Sequence, residues 1–191
     1  MTRDTILEKS LELFAIKGYF GTSMGDISKA VEIKKASLYF HFSGKESIFQ
    51  AVFNKILEEY NEFMCSITQF DEQTDSIKKL TGIFTDYVKN CKDNLKMEFW
   101  DRYYYYPPEC FKEEIQKKTY EIEVKNIEKV VQLIELGIKK KEIKYPHAKN
   151  MAVSFYYMMI GLALSVKFFS SEALDEEISK CLEPFMSLLA G

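Results

Sequence analysis

Two helix-start signals and two stops fall within about thirty residues, from Gly18 to Ser47, leaving room only for short helices joined by tight turns. Upstream, Leu7, Leu11, Phe14 and Gly18 recur at i, i+4, i+7 and i+11, with Ile6 and Leu13 flanking. One apolar stripe therefore runs along a first helix over residues 2–17, which Gly18 terminates. Ser23-Met24-Gly25-Asp26 is a capping-box pattern, in which the Ser23 hydroxyl and the Asp26 carboxylate each accept the other's backbone N–H. It opens a short second helix through Ala30. Val31-Glu32-Ile33 is a tight connection, and residues 35–40 are barely enough for a third helix. Ser43-Gly44-Lys45-Glu46 repeats the capping-box pattern at the head of a long fourth helix through Ile48, Val52, Ile56 and Tyr60. Helix, short helix, three-residue turn, short helix is the helix-turn-helix arrangement.

In such a unit the third helix is anchored by few side chains, here Leu38 and Phe42, and its other face is left for a groove. Lys34, Lys35, Ser37, Tyr39, His41 and Lys45 are then outward donors suited to phosphate oxygens and base edges. The charge distribution agrees. The chain carries −3 overall, yet residues 29–45 hold four lysines against one glutamate, a local excess that a mildly acidic protein can turn towards a polyanion.

The rest of the 191 residues reads as one helical bundle. Four prolines and eight glycines in a chain that is 47% hydrophobic suit helices and starve β-turns, so the fold class is all-α. Asp71 to Ser76 is a polar loop. Further helices are expected over residues 77–92, over "LKMEFWDRYYYY" up to Pro107-Pro108, over 109–141, over 147–169 after a break at Tyr145-Pro146, and from Leu174 onward through Pro184. The uncharged stretch 151–166 is shorter than the roughly 18–20 residues a bilayer needs and contains two serines and two tyrosines, so it is expected to be a buried helix and no membrane partner is expected. Cys65, Cys91, Cys110 and Cys181 form no C-x-x-C pair, which suggests neither zinc nor a disulfide framework. The charged N-terminus lacks a leader's apolar run, and the expected location is the cytoplasm.

"ILEKSLELFAIKGYFGTSMGDISKAV" followed by "IKKASLYFHFSGKESIF" strongly resembles the DNA-binding domain of the TetR family of transcriptional regulators. The second stretch is similar to that family's pattern of a small residue, Leu-Tyr, two aromatics, then Ser-Lys-Glu. The resemblance implies a DNA-binding domain over residues 1–47 and a helical effector-binding and dimerisation domain over 48–191. It implies further that Thr22 and Ser23 meet phosphates, that Lys35, Ala36 and Ser37 face the major groove, and that Tyr39, His41 and Lys45 hold the backbone. For Tyr39 the competing reading is packing on the first helix, and for His41 a plain surface histidine. Lys45 is a cation at a helix N-terminus, where the dipole disfavours it unless an anion is near. Two departures stand out. Glu32 occupies a turn position where the family often has glycine, and Lys34 replaces a frequent serine cap.

For the second half the resemblance implies a small-molecule effector and a homodimer. "MEFWDRYYYY" is aromatic all round its helical wheel, which fits either plain core or a pocket for an apolar or aromatic ligand lined by Phe99, Trp100, Tyr103, Tyr104 and Tyr106. Phe155, Met159 and Ala163 of the apolar helix, with Leu182 and Phe185 of the last, are expected to form a two-fold interface. The resulting expectation is a repressor released from a palindromic operator in double-stranded DNA by a ligand. An activator, or a regulator without an effector, is the alternative. An enzyme or carrier is the rival class, but with two histidines, no glycine-rich phosphate loop and no H-E-x-x-H the chain offers it little, and neither catalytic residue, metal nor cofactor is expected.

Overall fold

The computed structural model describes residues 2–190, among which nine α-helices and two 3-10 turns form the secondary structure and no strand occurs. The helices are α1 (Arg3–Lys17), α2 (Met24–Ala30), α3 (Lys35–His41), α4 (Lys45–Ile67), α5 (Ser76–Cys91), α6 (Leu95–Tyr105), α7 (Lys112–Lys139), α8 (Ala148–Ala163) and α9 (Ser171–Ala190). The 3-10 turns Glu109–Phe111 and Val166–Phe168 precede α7 and follow α8.

Most boundaries follow local chemistry. Thr2 caps α1 by accepting the Thr5 N–H, and Gly18 ends it at φ 75, a left-handed angle that glycine adopts without a Cβ clash. The Ser23–Asp26 capping box is present in both directions. Several boundaries differ from expectation, among them the long helix expected over 109–141, which runs from Lys112 to Lys139 after a 3-10 turn. The Ser43–Glu46 box gives way to a start at Lys45, where the Gly44 N–H donates to Ser47 Oγ and Glu46 is engaged by Tyr19. The apolar helix stops at Ala163 because the chain tightens into the 3-10 turn before Phe169 becomes extended. The last helix begins three residues early because Ser170 Oγ accepts the Ala173 N–H, an N-cap that the hydrophobic period did not register.

The contacts divide the chain into two compact units, with the break inside α4. The first contains residues up to Tyr60 together with Asn94–Lys117, so α6 belongs with the helix-turn-helix segment. Ile6, Phe14, Ile27, Leu38 and Ile48 are wholly buried there. Phe49 is the hub of an aromatic cluster, with ring centroids 4.8 Å from Tyr103, 5.0 Å from Tyr19 and Phe111, and 5.4 Å from Phe14. Trp100 stacks on Tyr60 at 4.1 Å.

The second unit contains Asn61–Asp93 and the residues from Lys118 on. Its core joins Leu80, Ile83, Phe84 and Val88 of α5 to Ala152, Phe155 and Met159 of α8, so the uncharged stretch forms a helix buried on one side, with Tyr157 exposed on the other. Loops are tied by charge: Glu142 accepts the Ser76 N–H at 2.8 Å, and Lys92 donates to the Phe169 carbonyl at 2.6 Å.

Candidate nucleic-acid interface

The α2–α3 connection is built without glycine. Glu32 takes φ 57, a left-handed angle that strains an ordinary side chain, and the turn is held by Glu32 N–H to Lys29 O (3.1 Å) and Ile33 N–H to Ser28 O (3.0 Å). Lys34 then opens α3 without any side-chain cap, as its departure from the capping residue types implies. Leu38 is wholly buried and Phe42, 5% exposed, lies under Arg3 at 5.2 Å, so these two anchor the helix. Lys35, Ala36, Ser37, Tyr39 and His41 all lie on the exposed remainder, and Lys34 is exposed beside them. Tyr39, half exposed, is not packed away on α1.

Sequence reasoning missed Phe40, which is 88% exposed. A helical wheel signals it, because two residues beyond an inward Leu38 is a rotation of about 200° at the α-helical pitch. His41 meets it edge-on at 5.6 Å.

Three residues expected at phosphates are already engaged within the chain. Thr22 is 2% exposed and its hydroxyl donates to Gly18 O (2.8 Å) and Leu13 O (3.3 Å), so in this chain that side chain anchors the turn. Ser23 is exposed but donates its hydroxyl proton to Asp26. That bond, ahead of all other causes, lowers the Asp26 carboxyl to about 2, and Lys17 stands 3.5 Å away. Lys45 donates to Tyr19 O at 2.8 Å and lies 4.2 Å over the Tyr19 ring, while the Tyr19 hydroxyl donates to Glu46 Oε1 at 3.0 Å. A carbonyl, a π face and a neighbouring carboxylate thus supply the negative charge that Lys45 needs at a helix start. Burial first, and Glu46 second, push the Tyr19 hydroxyl well above its ordinary range. Glu46 is held below the usual carboxylate range by its own backbone N–H and then by Tyr19.

Of the five aromatic residues expected at a pocket, four lie on α6 and Tyr106 is its C-cap. Phe99, Trp100 and Tyr103 are 0, 4 and 2% exposed in the first unit's core, and Tyr103 donates to Phe14 O at 3.0 Å. Burial raises its hydroxyl to about 12. Tyr104 is half-buried beside Trp100, and Tyr106 is 81% exposed. Tyr103 and Tyr106 border an open pocket of about 780 Å³, whose opposite wall is the turn after α1.

The residues expected at a two-fold interface lie mostly inside the second unit. Phe155, Met159, Ala163 and Leu182 are at most 6% exposed within the single chain, and Phe185 is half-buried with its ring 5.6 Å from Phe155. The first four face their own unit's core, and Phe185 keeps part of its side chain in solvent. The outward apolar residues of this region are Tyr157, Leu164, Phe168 and Leu188.

An all-helical chain with a short helix held outward by two buried side chains, one turn after a capped partner helix, is a helix-turn-helix protein. The profile of bacterial regulatory proteins of the tetR family matches residues 6–52. The biofilm operon icaADBC HTH-type negative transcriptional regulator IcaR of Staphylococcus epidermidis is 42% identical over 62 residues, 32% of this chain and 34% of that protein. The match thus spans about a third of that relative's length. The TetR family regulator PfmR from Thermus thermophilus shares the fold with TM-score 0.71 at 20% identity, over 97% of this chain and 96% of that one. AibR in complex with isovaleryl coenzyme A and operator DNA does so with TM-score 0.69 at 20% identity, over 98 and 97%. The N-terminal segment, residues 6–52, thus matches the tetR family of bacterial regulatory proteins, and the whole chain shares the fold of solved TetR-type regulators.

Proposed function

We propose that this protein is a cytoplasmic, homodimeric repressor that binds a palindromic operator and is released by a small molecule. Residues 1–47 carry the DNA contact and 48–191 the dimerisation surface and much of the effector response. The observation that carries the reading is α3: six of its seven residues face solvent, and Leu38 alone is buried. A helix so lightly anchored is built to enter a major groove. Lys34 supplies phosphate attraction, Lys35, Ala36 and Ser37 read base edges, and Tyr39, Phe40 and His41 support that contact. Two copies linked through the outward stripe of the second unit read half-sites roughly 34–36 Å apart, which multiplies a modest single-site affinity.

Similar proteins support the polarity and the ligand. The Staphylococcus epidermidis relative is described as a negative regulator, and AibR is seen with both operator DNA and an acyl thioester. No described helix is long and apolar enough to cross a membrane. Of the aromatic set, Tyr103 and Tyr106 remain the residues proposed for effector contact, because they border an open space.

The test is DNA selection from a random pool followed by anisotropy titration at several salt concentrations. Lys34→Ala should lower the salt slope by roughly 1 per subunit across all sequences. Lys35→Ala should instead change which bases are preferred. Recovery of no palindrome, or unchanged binding in both variants, would refute the assignment of α3.

A further inference from the structure

The open pocket of the first unit is made from parts that the outward face of α3 does not use. Phe20 and Tyr106 flank it, each 81% exposed, and Pro107 and Pro108 add apolar wall. Two large aromatic faces left in water around a concave space of about 780 Å³ mark a binding site rather than incidental exposure.

Charge narrows the ligand. Arg102 lies against the turn so closely that a Cβ at Gly18 would stand 2.7 Å from a guanidinium nitrogen, while the φ of +75 there is what favours glycine. Arg102 is exposed and carries no ion pair or side-chain hydrogen bond among the described residues. The other charges in the wall are matched: Lys17 pairs with Asp26 at 3.5 Å, and Glu109 with Lys112 at 3.4 Å. What remains in the lining is one guanidinium fork together with two exposed aromatic side chains. That fork matches a carboxylate in two parallel hydrogen bonds. A phosphate dianion fits less well, because Glu109 lines the same wall.

We propose that this pocket binds a small aromatic carboxylate, with its carboxylate on Arg102 and its ring between Phe20 and Tyr106. The pocket's wall is also the turn that positions the DNA-facing elements. Tyr19 O holds Lys45 at 2.8 Å, the Tyr19 hydroxyl holds Glu46 at 3.0 Å, and Gly18 O receives the Thr22 hydroxyl at 2.8 Å. A ligand that shifts this turn therefore shifts the starts of α4 and α2 together. The regulatory consequence rests on the repressor reading, whereas the binding itself does not.

Isothermal titration of the full chain with naphthalene-2-carboxylate and with its neutral carboxamide tests the site. Wild type should bind the carboxylate about ten-fold or more tightly than the carboxamide, since a charge-assisted fork is replaced by a neutral contact. Arg102→Gln should erase that difference while circular dichroism stays native, Arg102→Lys should restore part of it, and Tyr106→Ala should weaken both compounds. Equal carboxylate affinity in wild type and Arg102→Gln, or no binding at low millimolar concentration, would overturn the site. With the selected duplex present, the carboxylate should weaken DNA binding of wild type by about 5- to 150-fold and leave Arg102→Gln unchanged. Binding without that shift would overturn the coupling. Ligand binding in a protein that selects no DNA would count against the repressor reading instead.

Discussion

Replacing Phe49 by alanine separates an aromatic core from an aromatic pocket wall. The side chain is 1% exposed, and its ring meets Phe14, Tyr19 and Tyr103 edge-on at 5.4, 5.0 and 4.8 Å, with Phe111 stacked at 5.0 Å and Phe53 and Phe99 at 6.4 and 5.9 Å. Truncating a buried Phe costs about 3–5 kcal/mol, and well-oriented ring pairs add about 0.5–1.5 kcal/mol each beyond area, though not additively. With three edge contacts and no open side on which the site could collapse, the loss should sit near the top of the range, about 5 kcal/mol, most of the stability of an ordinary domain. Phe49→Leu keeps most of the volume and should lose about 2 kcal/mol. Tyr106→Ala, at an 81% exposed position, should stay within about 0.5 kcal/mol of wild type. Trp100 is the chain's one tryptophan and stacks on Tyr60 in the same unit, so its fluorescence during urea unfolding reports this unit directly. Far-UV circular dichroism in parallel reports the whole chain. A loss below about 1 kcal/mol for Phe49→Ala at unchanged slope would show that the cluster is loosely packed and that the core assignment of α6 is wrong.

Other perturbations separate further parts of the account. Phe168→Glu, on the outward side of the second unit, should give a folded monomer in sedimentation velocity, whereas Phe155→Glu should unfold the chain, because a charge at a wholly buried site costs several kcal/mol, on the order of a broken buried pair. A dimer persisting in Phe168→Glu would remove that surface from the interface. Asp26, whose carboxyl is lowered from 3.8 to about 2, stabilises the fold fully above 3.8 and loses that contribution as pH falls through about 2. Asp26→Asn should therefore flatten the dependence of Tm on pH in that interval, and an unchanged acid limb would contradict the capping role. Glu32→Gly should raise stability by about 1 kcal/mol by relieving the left-handed angle of 57°, measured by thermal denaturation. Destabilisation would mean that the side chain contributes more than its backbone strain removes.

What was legible in the sequence was mainly local. The Ser23–Asp26 box, the Gly18 stop and the two anchors Leu38 and Phe42 all depend on residues within a few positions of one another. Type and spacing therefore determine them. The all-helical class followed for the same reason, since apolar period and scarce breakers act along each segment independently. Tertiary structure decided which partner each exposed or ambiguous group met. Thr22 and Lys45 carry donors as Lys35 does, but the fold brings the carbonyls of residues 18 and 19 to 2.8 Å from them and turns those donors inward. A helix aromatic all round leaves its neighbours open, and contacts far apart in sequence, such as Tyr103 with Phe14, 89 residues away, and with Phe49, place α6 in the first unit. The apolar helix α8 likewise has two apolar sides, of which Phe155 and Met159 face its own core and Tyr157, Leu164 and the following Phe168 face outward. Periodicity assigns residues to faces. Which face is buried within the chain depends on packing between segments far apart in sequence, and that packing exists only once the helices are assembled.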